Sequence, residues 1–271
     1  MSRIQATFKS LKNKKEKALI PFFTAGDPHP DKTVEIMHAL VESGADMIEL
    51  GIPFSDPMAD GPIIQRASER ALKNNVGITT TIKLAAEFRR NNKITPLILM
   101  GYANPIEAIG IDNFISLIKD ADIDGVVTVD YPPEESEQFV MRLKENNIDS
   151  IFLIAPTTND NRIKLIINQA TGFLYYVSLK GVTGSANINI KQVAQKVQNI
   201  KEFTTLPIGV GFGVRNAKTA KEVSLISDAV VIGSRIVQEI EDSNGVDLIN
   251  NIKNLMVEMK NSINEDRAIS E

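Results

Sequence analysis

Eight short apolar runs, separated by stretches with helical spacing, constrain this chain more than any other feature of it. They are Ala18–Thr24, Asp46–Leu50, Pro96–Gly101, Gly125–Val129, Ser150–Ile154, Phe173–Ser178, Leu206–Val210 and Asp228–Ile232. Each is nearly continuous in Val, Ile, Leu and Phe, as expected of parallel strands covered on both faces. Between them, Val34, Met37, Leu40 and Val41 share one helical face, with Asp31 placed to cap its start and Gly44 to end it. Ile111, Phe114, Ile115 and Ile118 recur at i, i+3, i+4 and i+7, as do Ile163, Ile166, Ile167 and Ala170. A helix carrying Ile4, Phe8 and Leu11 precedes the first strand, and a last helix carries Ile249, Ile252 and Met256. Helical residues between Thr79 and Asn91 make the second strand–helix unit longer than one helix requires, so an added helix is expected there. Eightfold strand–helix alternation predicts a closed (β/α)₈ TIM barrel, for which about 250 residues is typical.

No linker or compositional break divides the 271 residues, so they read as a single domain, residues 1–271, with a polar tail from Asn261 to Glu271 expected to fray. A net charge of −4 with both signs interspersed argues against a nucleic-acid surface. No apolar run approaches the length of a membrane-spanning helix. The basic segment Met1–Lys17 lacks the apolar core of a secretory signal, and a cytoplasmic location is expected. The absence of Cys removes disulfides, thiol nucleophiles and cysteine-ligated zinc together. Only His29 and His38 are present, the first in a loop between two prolines and the second in a helix, and both read as structural or exposed. No metal site is read. Acid–base work therefore falls to Asp, Glu, Lys or Tyr.

In this fold, active sites form at the C-terminal ends of the strands and in the loops that follow. The stretch Asp46–Pro62 meets that rule. Met47 and Glu49 share one face of its strand, Ile48 and Leu50 the other. A carboxylate inside an apolar strand is rarely buried without a partner or a task. Asp60 follows in a loop with Pro53, Asp56, Pro57 and Pro62, so Glu49 and Asp60 form a candidate acid–base pair. Asp130 ends the fourth run and reads first as a helix cap or loop brace, and one of Tyr175 and Tyr176 should face the barrel interior. Gly209, Gly211 and Gly213 alternate at the seventh run, and Gly233-Ser234 closes the eighth. Glycines there let backbone N–H groups approach a phosphate; tight barrel packing is the competing reading. Gly181 and Gly184 around Thr183 suggest a lid. Neighbouring Lys180 could form a Schiff base, hold an anion, or simply be solvated.

I-P-F-F-T-A-G-D-P (Ile20–Pro28), I-E-L-G-I-P-F-S-D-P-M-A-D-G-P (Ile48–Pro62), G-V-T-G (Gly181–Gly184), G-F-G (Gly211–Gly213) and Gly233-Ser234 resemble, in order, the α subunits of tryptophan synthase. The resemblance implies retro-aldol cleavage of indole-3-glycerol phosphate to indole and glyceraldehyde 3-phosphate. It also implies no cofactor in this chain, and a β-subunit partner that carries pyridoxal phosphate in an α₂β₂ heterotetramer. By the same resemblance, Glu49 transfers protons and Asp60 accepts the indole N–H. Phe22, Met100, Tyr175 and Phe212 wall the indole, Thr183 lies beside the substrate, and Gly184, Gly211, Gly213, Gly233 and Ser234 hold the phosphate. Pro53, Asp56 and Pro57, with the Asn104-Pro105 turn, match the docking surface, with Asp56 serving communication between subunits. Many members carry Arg after the sixth-strand serine, where this chain has Leu179-Lys180. Glu49 in an apolar mouth is expected to have a raised pKa while Asp60 stays ionised. Two other readings are a Schiff-base aldolase acting through Lys180 and a mainly allosteric activating subunit with weak lyase activity.

Overall fold

A computed structural model describes residues 1–177, 190–211, 213–243 and 247–265. The strands are β1 (Ala18–Thr24), β2 (Ile48–Gly51), β3 (Leu97–Gly101), β4 (Gly125–Thr128), β5 (Asp149–Ile154), β6 (Leu174–Val177), β7 (Ile208–Gly211) and β8 (Ala229–Ile232). The helices are α1 (Arg3–Asn13), α2 (Pro30–Glu42), α3 (Pro62–Lys73), α4 (Ile78–Asn91), α5 (Ala103–Ile109), α6 (Ile111–Asp120), α7 (Glu137–Glu145), α8 (Asp160–Gln169), α9 (Ile190–Phe203), α10 (Ala217–Ser224), α11 (Ser234–Asp242) and α12 (Leu248–Asn264). The strands are parallel and close in sequence order, with β1 pairing both β2 and β8. This is the expected (β/α)₈ barrel with an N-terminal helix and added helices in the βα loops.

Alternation along each strand sends one set of side chains inward and the other toward the helices. Ile20, Met47, Ile98, Val127, Ile151, Phe173 and Val231 fill the interior. Helix α1 closes the N-terminal mouth by adding Ile4, Phe8 and Leu11 to that cluster, with the Phe8 ring 5.7 Å from Phe173. Burying side chains of this size contributes about 1.5–3 kcal/mol each. A Ser2–Gln5 capping box starts α1. Arg3 then ties it to the barrel, its Nε donating to Asp124 Oδ1 at 2.5 Å, and also bonds Asp122. The far side of Asp124 accepts from Arg89 Nη2 at 2.5 Å and from the Leu97 N–H at 2.8 Å.

Several local expectations change. Strand β2 starts at Ile48, because the Asp46 carboxylate is occupied as a brace, accepting from the Leu19 N–H at 2.7 Å and Lys260 Nζ at 2.6 Å. The cap of α2 is His29, whose Nδ1 faces the Asp31 N–H, while Asp31 lies within the first turn. Asn104 and Pro105 are not a turn but the start of helix α5, where a proline loses no intrahelical bond. Helix α12 continues to Asn264, past the expected fraying point, because Met259 and Ile263 extend its buried stripe at i, i+4. The remainder of that tail, residues 266–271, lies outside the described residues.

Candidate active site

Glu49 lies on the inward face of β2, one residue pair above Met47, opposite Phe22 of β1 and Ile98 of β3. Its side chain is fully buried, and among the described residues neither carboxyl oxygen has a hydrogen-bond partner. Below it lies the apolar interior. Burial without compensation penalises the charged form and pushes Glu49 up to about 8. At neutral pH this acid keeps its proton.

Asp60 comes from the loop joining β2 to α3. Its Oδ2 accepts from the Tyr102 hydroxyl at 3.1 Å, and that hydroxyl in turn accepts from the Ala59 N–H at 3.1 Å. The Asp60 backbone carbonyl accepts from Gln65 Nε2 of α3 at 2.8 Å. Burial raises Asp60 to about 6, with the Tyr102 hydrogen bond pulling the other way. The carboxylate is therefore the majority form at pH 7, through a narrower margin than an exposed loop would leave. Tyr102 was not singled out in the sequence. Its only cue there is a tyrosine directly after the third apolar run, at the end of the barrel where sites form.

Tyr175 faces inward and is buried, while Tyr176 joins the core under the helices. Burial raises the Tyr175 hydroxyl well above its usual range, and the Glu49 and Asp60 carboxylates, when ionised, raise it further, which places all three groups in one electrostatic neighbourhood. Met100, half-buried, completes the inward row of β3 opposite Gly51. The Phe22 ring crosses β2 so closely that a Cβ on Gly51 would sit 2.8 Å from it.

The alternating glycines of β7 have a packing cause. A Cβ on Gly211 would lie 2.3 Å from the Tyr175 hydroxyl oxygen, and one on Gly209 would lie 3.1 Å from the Phe173 ring. Both positions accommodate aromatic rings, that of Tyr175 on β6 and that of Phe173 directly before it. Gly213 differs, because its φ of +65° favours glycine whatever the space. Gly233 precedes α11, which begins at Ser234 with no side-chain cap; the Ile236 and Val237 N–H groups return to the Gly233 carbonyl, and the N–H groups before them have no intrahelical acceptor. Thr183, Gly184, Phe212, Leu179 and Lys180 lie outside the described residues.

On the loop after β2, Asp56 is exposed, bonded at its carboxylate by Ser55 Oγ at 2.5 Å, and Met58 is 77% exposed. Pro53 is buried within the chain, so it shapes the loop rather than presenting a face, whereas Pro57 and Pro105 are half-exposed and Asn104 exposed. Asp130 braces rather than reacts, its Oδ1 accepting from the Ala103 N–H at the start of α5 at 2.7 Å. Among the described residues no group of His, Cys, Asp and Glu side chains could hold a metal ion, and no helix is long and apolar enough to cross a membrane.

The sequence profile described as "Tryptophan synthase alpha chain" matches residues 8–266. The tryptophan synthase alpha chain of Janthinobacterium sp. (strain Marseille) is 53% identical over 98% of this chain and all of its own length. That of Herminiimonas arsenicoxydans is 58% identical over 90% of this chain and 92% of its own. Among solved structures, tryptophan synthase subunit alpha from Legionella pneumophila superposes with a TM-score of 0.92 at 39% identity, covering 98% of this chain and 99% of that one. A strand-borne acid buried at the barrel mouth, a loop-borne acid beside it, and full-length similarity at more than half identity lead to one assignment: the chain belongs to the tryptophan synthase alpha chain family, a family of lyases in tryptophan biosynthesis.

Proposed function

We propose that the lyase step in this chain, cleavage of indole-3-glycerol phosphate, runs through Glu49 as the proton shuttle and Asp60 as the partner of the indole nitrogen. The observation that carries this reading is Glu49: a fully buried carboxyl, unbonded among the described residues and protonated at neutral pH. Cleavage needs a proton on indole C3, so that the ring becomes a leaving group, and loss of the proton from the adjacent side-chain hydroxyl, so that the aldehyde forms. Glu49 starts protonated, delivers its proton to C3, and as carboxylate accepts the hydroxyl proton. The C3–carbon bond breaks, its electron pair returns to the ring, and Glu49 ends as it began. Asp60, ionised through its Tyr102 contact, accepts the indole N–H and stabilises the positive charge that C3 protonation places on the ring. Because the ring is the electron sink, a Schiff base at Lys180 is not needed.

Phe22, Met100 and Tyr175 wall the indole from inward-facing positions, with Phe212 and Thr183 completing the site. The phosphate rests at Gly213, Gly233 and Ser234, where a left-handed glycine and the uncapped start of α11 present N–H groups, with Gly184 closing from the lid. Gly211 serves mainly by making room for Tyr175. Residues 1–271 act as one domain. The partner is a β subunit, which holds the pyridoxal phosphate, in an α₂β₂ assembly in the cytoplasm; Asp56, Pro57, Asn104 and Pro105 contact it, with Pro53 shaping the loop. Indole release from indole-3-glycerol phosphate, measured with and without a cognate β subunit, tests the whole reading. Cleavage that accelerates on mixing is expected; no indole in either condition sinks the lyase assignment. The chain has no Trp, which keeps fluorescence background low.

A further inference from the structure

Away from the reacting carboxylates, Arg70 of α3 joins two acids from different parts of the fold. Its Nε and Nη2 donate to Asp27 Oδ1 and Oδ2 at 2.6 and 2.9 Å, a bidentate pair. Its Nη1 donates to Glu241 Oε1 at 2.7 Å. Arg66, one turn earlier on the same helix face, grips Glu241 a second time, from Nε to Oε1 at 2.8 Å and from Nη2 to Oε2 at 2.6 Å. Asp27 has no exposed side-chain surface, and Arg70 and Glu241 are about a quarter exposed, at 26% and 22%. Arg66 is nearly half exposed, at 46%, so the cluster runs from a buried end at Asp27 to a solvated end at Arg66, with the two-pronged guanidinium contacts fixing its geometry.

Each member sits on an element that carries part of the site. Asp27 lies in the loop directly after β1, the strand of Phe22. Arg66 and Arg70 belong to α3, whose first turn follows Asp60 and holds its carbonyl through Gln65. Glu241 belongs to α11, whose amino terminus is the proposed phosphate seat. The indole end and the phosphate end of the substrate are thus held by separate helices, and Arg70 with Glu241 locks one helix to the other.

We infer that Arg70 and Glu241 are positioning residues that set the distance between Asp60 and the phosphate seat, so that one ligand reaches both ends at once. The inference rests on the phosphate seat proposed above. Two ends held at the right separation bind a joined ligand far better than either piece, and that advantage is lost when the separation drifts. The lock therefore acts on joined ligands and not on fragments.

The test compares three probes on the intact chain: indole, glycerol 3-phosphate, and an uncleavable indole bearing a three-carbon chain that ends in phosphate. Glu241→Ala frees α11 while leaving Arg70 on Asp27. The double variant Arg66→Lys/Arg70→Lys, with compact charges in place of both guanidinium forks that hold Glu241, is measured beside it, so a poorly folding alanine variant leaves the test standing. Both variants should bind indole and glycerol 3-phosphate within about twofold of wild type, yet lose about tenfold on the joined probe and in kcat. Glu241→Gln, which still accepts from a guanidinium, should recover at least half of that loss. Unchanged affinity for the joined probe, or equal weakening of all three probes, overturns the inference. Should glycerol 3-phosphate fail to compete with substrate on the wild type, it is the phosphate seat itself that fails, whatever the variants do.

Discussion

Two buried carboxylates, Asp124 toward the N-terminal end of the barrel and Glu49 at the C-terminal end, are treated in opposite ways. At the N-terminal end Asp124 is almost fully enclosed but gripped by Arg3, Arg89 and the Leu97 N–H. At the C-terminal end Glu49 is fully enclosed with no hydrogen bond to any described residue. Burial raises the pKa of both acids, but at Asp124 the two guanidinium groups and the backbone N–H oppose it, whereas no described residue opposes it at Glu49. A buried acid with partners is scaffold. A buried acid without them is held protonated at a cost to stability, which is the feature that supports the proton-shuttle role proposed for Glu49.

Substitutions at the two ends should separate accordingly. The largest effect is expected from Glu49→Gln, which keeps the volume but cannot shuttle a proton: turnover should fall by at least 10²–10⁴-fold, with glycerol 3-phosphate binding retained. A variant near the wild-type rate would remove Glu49 from the mechanism. Arg89→Ala should do the reverse, leaving Asp124 short of a partner and costing about 3–5 kcal/mol in urea unfolding, while kcat per folded molecule changes little. If kcat collapses instead, the N-terminal end is not mere scaffold.

A smaller effect follows from proton linkage. Glu49 binds its proton more tightly folded than unfolded, so between about pH 4.5 and 8 the folded state holds the extra proton. Its contribution to stability is therefore present below the unfolded value and is lost as pH rises toward the folded one. Unfolding free energies of wild type and Glu49→Gln should diverge with rising pH, the variant becoming the more stable by on the order of 2–5 kcal/mol at pH 8. Curves that run parallel would show that Glu49 is not held neutral. The smallest effect concerns Asp60. Its protonation near 6 and the deprotonation of Glu49 near 8 should bound a bell in kcat/KM. Tyr102→Phe removes the hydrogen bond that favours the Asp60 carboxylate, so the acid limb should move upward by roughly one unit. An unmoved limb assigns that ionisation to another group.

The barrel was legible because it rests on periodicity, which is local: the eight apolar runs and the observed strands differ only at their ends. The same holds for Glu49, whose oddity is visible in its own strand. Asp130 as a brace, and one of Tyr175 and Tyr176 facing inward, could be expected from position alone; the structure agrees with both and turns Tyr175 inward. Tyr102 was not legible, because its importance comes from a hydrogen bond spanning 42 residues of chain. The Arg70 cluster is further still from local reading, joining Asp27 to Glu241 across most of the sequence. The β7 glycines show the limit from the other side. Their pattern suggested an anion site, but Gly209 and Gly211 also answer to the rings of Phe173, just before β6, and Tyr175 on it.

Hydrophobic spacing along the chain was enough to determine the parallel barrel and the mouth at which a site must lie, and Glu49 and Asp60 stood out there as a candidate pair. Side-chain partnership was settled only by folding. Whether a buried carboxylate meets a guanidinium, a tyrosine or nothing depends on residues tens to hundreds of positions away. That meeting separates Asp124 from Glu49, because desolvation raises both and guanidinium groups offset it at Asp124 alone of the two.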